Sequence, residues 1–268
     1  MLPERLAFAA VRWKNILQQI AIYQLSRRRP SAMKGLLRKV LHAELPAGYD
    51  IDRHFSPRYD PWDQRLCLVP DGDLFRAIRG GGASVVTDEI ASFTERGLQL
   101  ASGQELEADV VVTATGLNLQ MFGGMALEVD GEPVVLPSRM TYKGMMLEDV
   151  PNFAFALGYT HSSWTLKADL TGEYVGRLLA HMDRQGHAIC TPHNEDPAVE
   201  REPLLSFGAG YVLRSLASLP KSGSKAPWRL RMNYAADVLA LRFGSVDDGV
   251  MRFSAPAPAA PREPLVAA

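Results

Sequence analysis

The sequence has few cysteines, no long apolar run and almost no net charge, and each scarcity narrows what the chain can be. Its two cysteines, Cys67 and Cys190, lie far apart and form no CxxC motif, so neither a disulfide framework nor a cysteine-based zinc site is expected. No apolar run reaches the roughly 18 residues that a membrane-spanning helix needs. The net charge of −1 gives no reason to expect nucleic acid as a partner. We therefore predict a cytoplasmic protein.

Motifs for nucleotide, metal and nucleophilic sites are also missing. A dinucleotide fingerprint needs G-x-G-x-x-G between a strand and a helix, and neither Gly80-Gly81-Gly82 nor Gly208-Ala209-Gly210 has that spacing and context. There is no G-x-x-x-x-G-K-[ST] loop and no G-x-S-x-G elbow. The six histidines lack the spacing of paired metal ligands, so no metal site is predicted.

Positive charge is concentrated in the first 45 residues, where two helices are predicted. Apolar residues recur at three- and four-residue steps over 4–28, Pro30 ends that helix, and Ser31 can cap a second one that ends near Pro46. Two explanations stay open: a helical hairpin packed on its own protein with a solvated basic face, or contact with a membrane surface. The basic residues are Arg5, Arg12, Lys14, Arg27, Arg28, Arg29, Lys34, Arg38 and Lys39.

The middle of the chain changes from irregular to strand-like. Residues 49–72 mix aromatics, charges and prolines, which is typical of an ordered surface segment that can carry function. Strands are predicted at 84–88, 89–95 and 98–100. The near-continuous small apolar run at 109–115 predicts a strand buried on both faces, and Gly116 at its end would let the backbone approach another group closely.

A hairpin with the turn Asp130-Gly131, a strand at 152–159 and a long helix follow. The helix is predicted from Trp164 to about Gln185, capped by Ser162 or Ser163. Its amino end could receive an oxygen-bearing ligand, or it could simply be capped. The predicted buried face consists of Leu166, Leu170, Tyr174, Leu178 and Met182.

Four segments resemble one family of flavoproteins. The stretch "GLQLASGQELEADVVVTATG" is similar to the meander and A-T-G strand of two-dinucleotide flavoprotein monooxygenases. "YDIDRHFSPRYDPWDQRLCLVPDGDLFRAI", "MTYKGMMLEDVPNFAFALGYTHSSWTLKADL" and "LPKSGSKAPWRLRMNY" resemble the Baeyer–Villiger-type subgroup, and most of all its ethionamide-activating monooxygenases. The resemblance covers about residues 1–245, and the family's two glycine fingerprints are missing, so it predicts the carboxyl-terminal portion of such an enzyme.

The resemblance implies an α/β fold that forms part of a flavoprotein with two dinucleotide-binding domains. Its elements would be a helical amino-terminal segment, a β-meander, and a returning strand and helix of the FAD domain. Residues 1–110 would be the remainder of the NADPH-binding module, with the helical hairpin and an active-site loop. Residues 111–250 would be the carboxyl-terminal part of the FAD-binding module, and 251–268 a disordered tail.

The resemblance also implies the site and its cofactors, FAD and NADPH. The family's active-site arginine, which contacts the nicotinamide and stabilises the oxygenated flavin, falls on Arg65. The preceding position, often a lysine that holds the NADPH 2′-phosphate, is Gln64. The remaining residues expected at the cofactor are Thr115, Gly116, Trp164, Thr165 and Leu166.

The activity implied is insertion of one oxygen atom from O2 into a ketone or a sulfur-containing small molecule. Two alternatives stay open from the sequence. The chain could be an inactive or partner-dependent fragment, prone to self-association through exposed strand edges. It could instead be a basic peripheral membrane-binding protein that uses residues 1–45.

Overall fold

The computed structural model describes residues 3–64, 66, 69–206 and 208–255. The chain forms two compact units, Met1–Leu117 and Asn118–Ala268. It mixes helix and sheet and begins with helices, which confirms the predicted α/β class and the helical amino-terminal segment.

The first unit begins with helices α1 (Glu4–Arg28) and α2 (Pro30–Glu44), followed by the short helices α3 (Ile51–His54) and α4 (Asp73–Arg79). Pro30 is the first residue of α2, not the residue that ends α1, because its fixed φ and missing N–H suit the first helical position. A small core of Leu45, Ile51 and Ile78 lies beneath Phe55 and Phe75.

The apolar stripe predicted on α1 is largely exposed. Leu6 is 56% exposed, Leu17 58% and Trp13 43%, whereas Ile16 is buried. In the part of the chain that the structure describes, no helix is long and apolar enough to cross a membrane.

The predicted meander is present as an antiparallel sheet in the order β1 (Ile90–Thr94), β2 (Gly97–Leu100) and β3 (Glu105–Glu107). At the β1–β2 turn, a Cβ on Gly97 would overlap the backbone of Leu106, so only glycine fits there. Residues 84–88, predicted as a strand, lie outside this sheet, and among the described residues β1 pairs only with β2.

The strand predicted at 109–115 does not form, and the prediction that its residues are buried on both faces was wrong. Val110 is 78% exposed and Val112 83% exposed. The small apolar run has the composition of a buried strand, but burial also requires neighbouring strands and a covering layer. The described part of the first unit offers only β1–β3, which pair with one another.

The second unit is built around α5 (Trp164–Gln185), which has the bounds predicted from sequence and ends at Gly186 in the left-handed conformation. All five side chains of its predicted face, from Leu166 to Met182, are buried. Around it lie three short two-stranded pairings: β6 (Thr141–Tyr142) with β7 (Met146–Leu147), β8 (Ile189–Pro192) with β11 (Met251–Ser254), and β9 (Arg201–Pro203) with β10 (Lys221–Gly223).

The Asp130-Gly131 turn is confirmed between β4 (Glu128–Val129) and β5 (Glu132–Pro133), with both turn residues at positive φ. The strand predicted at 152–159 is reduced to a single bridge between Met146 and Ala154. Two helical segments complete the unit, α6 (Gly210–Ser215) and α7 (Tyr234–Asp237), and the latter continues into a π-helical turn at Val238–Phe243.

Residues 251–254, predicted as part of a disordered tail, form a strand instead. Met251–Ser254 forms β11 because Met251 is buried and Phe253 stacks on the ring of His187. Residues 256–268 of the predicted tail lie outside the described residues.

The exposure of residues 110–112 gives a direct test. We expect Val110→Ser/Val112→Ser to change the free energy of unfolding by no more than about 0.5 kcal/mol, as exposed substitutions do. Leu170→Ala, at a side chain that is 1% exposed, should cost about 2–5 kcal/mol. Urea unfolding measures both. A loss above about 2 kcal/mol in the valine double variant would show that these residues are buried in solution.

Candidate functional site

The structure describes three of the four site residues predicted in the first unit, Gln64, Thr115 and Gly116. Gln64 is half-buried and forms an isolated bridge with Pro61, and Arg65 lies outside the described residues. Thr115 and Gly116 follow the exposed valine run and are themselves exposed. Gly116 has a φ of 117°, a conformation that side chains with a Cβ rarely adopt, so this bend requires glycine.

The predicted residues of the second unit form the first turn of α5. Leu166 is buried and anchors the turn, whereas Thr165 is exposed and Trp164 is 54% exposed. The side chain of the N-cap residue, Ser163, accepts no capping hydrogen bond from a backbone N–H of this turn; its Oγ lies 2.7 Å from Oγ1 of Thr165 instead. The N–H of Leu166 donates to the carbonyl of Ser163 at 3.3 Å, and the Ser163 side chain does not cap the turn. The positive end of the helix dipole at this turn suits an oxygen-bearing or anionic group.

The ring of Trp164 lies directly against Gly158. A Cβ at position 158 would overlap the indole at its Cγ, Cδ1 and Cδ2 atoms. Glycine at 158 thus allows the segment before α5 to fold back under the first turn of that helix. Between the two, His161 is partly buried, which lowers the pKa of its imidazole because burial disfavours the charged form.

Directly after this turn, Lys167 forms a buried ion pair. Its Nζ lies 2.9 Å from Oδ2 of Asp237, and only 2% and 8% of the two side chains are exposed. The same Oδ2 accepts a 2.6 Å hydrogen bond from the hydroxyl of Tyr159, and the Lys167 ammonium also donates to the carbonyl of Lys143 at 3.2 Å. Burial lowers the pKa of Lys167 against the opposing effect of Asp237.

A second polar cluster lies two turns along α5. The Tyr142 hydroxyl donates to Oδ2 of Asp248 at 2.7 Å and lies 2.9 Å from the hydroxyl of Tyr174. The Lys143 ammonium lies 3.0 Å from the same Asp248 oxygen and 4.6 Å from the centre of the Tyr174 ring. Burial acts to raise the pKa of Asp248, but hydrogen bonds from Tyr142 and Lys143 together with the lysine charge outweigh it, so the pKa is lowered.

Two further contacts tie α5 to residues 238–244. Arg177 donates to the carbonyls of Leu241 and Arg242 at 2.7 and 2.8 Å, and also to the carbonyl of Gly244. On the exposed side, Arg242 forms a two-point ion pair with Glu173. Together with the two clusters, these contacts fix the segment after α7 along one side of α5.

Sequence reasoning missed the buried polar groups of α5. Lys167 and Thr171 lie on the stripe defined by Leu170, Tyr174 and Leu178. A lysine on an apolar helix stripe is the sequence feature that could have indicated a buried charge. A buried charge requires a partner, so the pattern predicts an acidic group elsewhere in the fold. It does not say which acid.

Within the described ranges, no group of three or more His, Cys, Asp or Glu side chains is placed to hold a metal ion. Cys190 is buried, and burial raises the pKa of its thiol. Cys67 lies outside the described residues.

The Gly158–Trp164 contact can be tested with a matched pair of glycines. Gly158→Ala should displace the indole and lower the free energy of unfolding by about 1–3 kcal/mol, as overpacking does. Gly172→Ala, in the middle of α5 with open space around it, should raise stability by up to about 1 kcal/mol. Urea unfolding and the near-ultraviolet circular dichroism of tryptophan report the two effects. Equal stability changes with an unaltered spectrum would contradict the contact.

Comparison with known proteins gives named relatives, although no protein-family model matches the chain. The chain is 52% identical to FAD-containing monooxygenase EthA of Mycobacterium tuberculosis over 258 residues. This match covers 96% of the chain and 53% of that protein. The chain is also 50% identical to FAD-containing monooxygenase EthA of Mycolicibacterium smegmatis, over 94% of its own length and 51% of that protein. Probable FAD-binding monooxygenase AlmA of Acinetobacter baylyi is 45% identical, over 94% of the chain and 51% of AlmA.

The chain spans about half the length of the curated relatives it matches. All three relatives are named as monooxygenases, and monooxygenases are oxidoreductases. The chain is therefore a relative, over nearly its whole length, of the FAD-containing monooxygenases, as the resemblance of its sequence predicted.

Proposed function

We propose that the chain forms part of an FAD- and NADPH-dependent monooxygenase that inserts one oxygen atom from O2 into a ketone or a sulfur-containing small molecule. The names of the relatives support FAD and monooxygenation. NADPH and the two substrate classes rest on the resemblance of the sequence segments.

The observation that carries the proposal is the first turn of α5. The N-cap Ser163 does not cap its N–H groups through the side chain, Trp164 and Thr165 are exposed, and Gly158 allows the close packing behind them. These features fit a flavin cofactor, whose carbonyl oxygens and phosphates are acceptors for backbone N–H groups. Leu166 and Lys167, both buried, fix the turn in place.

The proposal also assigns the parts of the chain. Residues 1–110 would belong to the NADPH-binding module and 111–250 to the FAD-binding module. The sequence contains no G-x-G-x-x-G fingerprint. The pyrophosphates of both cofactors would therefore be bound by residues that do not belong to this sequence.

FAD, when bound, supplies the transfer of electrons from NADPH to O2. The chain supplies positioning and charge. The N–H groups of Trp164 and Thr165 would donate to an oxygen of the flavin, and Gly116 would permit close approach of the backbone at Thr115. Arg65 would present a permanent positive charge with several donors in one plane, which stabilises a developing oxygen anion. Gln64 beside it would contact the nicotinamide nucleotide through its amide.

The role of Arg65 is the sharpest test of this proposal. In an enzyme assembled from this chain and the part of the M. smegmatis relative that it does not match, Arg65→Ala should leave FAD bound. Oxygenation of a ketone or thioether substrate should fall by at least about 10²-fold, the effect of removing one preorganised donor. Flavin absorbance and product formation are the measurements.

Arg58→Ala is the matched control, because Arg58 is an exposed arginine of the same irregular segment. It should oxygenate substrate at the parental rate. If Arg65→Ala does so too, Arg65 has no part in the reaction. If the assembled parental enzyme binds no flavin, the proposed function itself fails.

Contact with a membrane through residues 1–45, self-association and cytoplasmic location remain predictions. The alternative that the chain is a fragment without catalysis of its own also stays a prediction.

A further inference from the structure

The residues just before and just after the first turn of α5 meet at a single carboxylate. Tyr159 lies before the turn and Lys167 directly after it, and both bind Oδ2 of Asp237, at 2.6 and 2.9 Å. The three residues are 1%, 1% and 6% exposed, so these contacts are shielded from water. Residues 160–166 are therefore a loop and helical turn whose two ends are tied to one atom.

The carboxylate itself is well fixed. Asp237 is the last residue of α7, whose N-cap Asn233 accepts a hydrogen bond from the backbone N–H of Ala236. The ring of Tyr234, at the start of α7, packs edge-on against the ring of Tyr159. Asp237 thus stands at the end of a short capped helix that also contacts one of the two groups it binds.

We propose that Asp237 is a positioning residue, which sets the orientation of the exposed turn Trp164–Leu166 by holding Tyr159 and Lys167 on one carboxylate oxygen. That this turn contacts a flavin rests on the proposed function. The tie itself does not, because every contact in it lies within the described residues of this chain.

A buried ion pair is weak evidence for stability, because an apolar pair in its place often gives equal or greater stability. Its position in the fold is therefore what indicates a role. Here the pair is placed where the chain enters α5 and is joined by a tyrosine from the preceding loop. An apolar replacement would preserve burial but lose the direction that two hydrogen bonds to one oxygen impose. Stability and orientation can therefore be separated by experiment.

The experiment is hydrogen exchange on the full chain without flavin, followed by mass spectrometry. Lys167→Met/Asp237→Leu removes the tie and leaves no unpaired buried charge. In this variant, the amides of residues 166–170 should exchange at least about tenfold faster, because the turn opens locally. Residues 174–182, farther along the same helix, should be unchanged and serve as the internal reference.

Glu173→Gln is the matched control. It removes an ion pair between the same helix and the same partner segment, but an exposed one, with 42% of the Glu173 side chain accessible. It should leave the exchange of residues 166–170 at the parental rate. Unchanged exchange in a folded double variant, or equal acceleration along all of α5, would overturn the proposal.

Tyr159→Phe decides the matter if the double variant does not fold. It keeps the ring and the ion pair and deletes only the hydrogen bond from the loop, so exchange at residues 166–170 should rise at least about threefold. No rise would overturn the proposal.

In the assembled enzyme, the double variant should also shift the absorption maximum of the bound flavin, whereas Glu173→Gln should not. Bound flavin with an unshifted spectrum would contradict the positioning role and leave the proposed function intact. Absence of bound flavin in the parental enzyme would instead contradict the proposed function.

Discussion

A buried ion pair between Lys167 and Asp237 holds together three segments of the second unit. Both charges are removed from water, so neither side chain can lose its partner without leaving an uncompensated charge in the interior. The pair joins α5 to the end of α7, and Lys167 also reaches the carbonyl of Lys143 in the β6–β7 hairpin. Three segments distant in sequence are thereby fixed to one ammonium group.

The same arrangement continues along α5 through Tyr174 and Arg177. Tyr174 belongs to the cluster around Asp248, and Arg177 binds three backbone carbonyls at residues 241–244. The buried face of α5 thus combines polar contacts to residues 237–248 with the apolar side chains of Leu170, Leu178 and Met182. Polar contacts of this kind are directional, so they define the placement of the helix end more narrowly than apolar packing alone.

Sequence alone predicted the elements whose signals are local. The bounds of α5 follow from its apolar period and from Gly186 after it, although the side chain of Ser163 does not form the expected cap, and the meander follows from its turn residues. The strand at 109–115 was wrong because its burial depends on neighbours, which composition does not reveal. The resemblance places the first turn of α5 at the cofactor, and this stays a prediction. The support of that turn by Asp237 was not predicted, because Lys167 and Asp237 are 70 positions apart and no local rule links them.

A double-mutant cycle on Lys167 and Asp237 tests the central claim most directly. The free energies of unfolding in urea are measured for the parental chain, Lys167→Met, Asp237→Asn and the double variant. We expect the two single losses to overlap, with a coupling free energy of at least about 1 kcal/mol between the sites, as contacting residues show. Losses that add to within about 0.5 kcal/mol would mean that the two side chains act independently and would contradict this expectation.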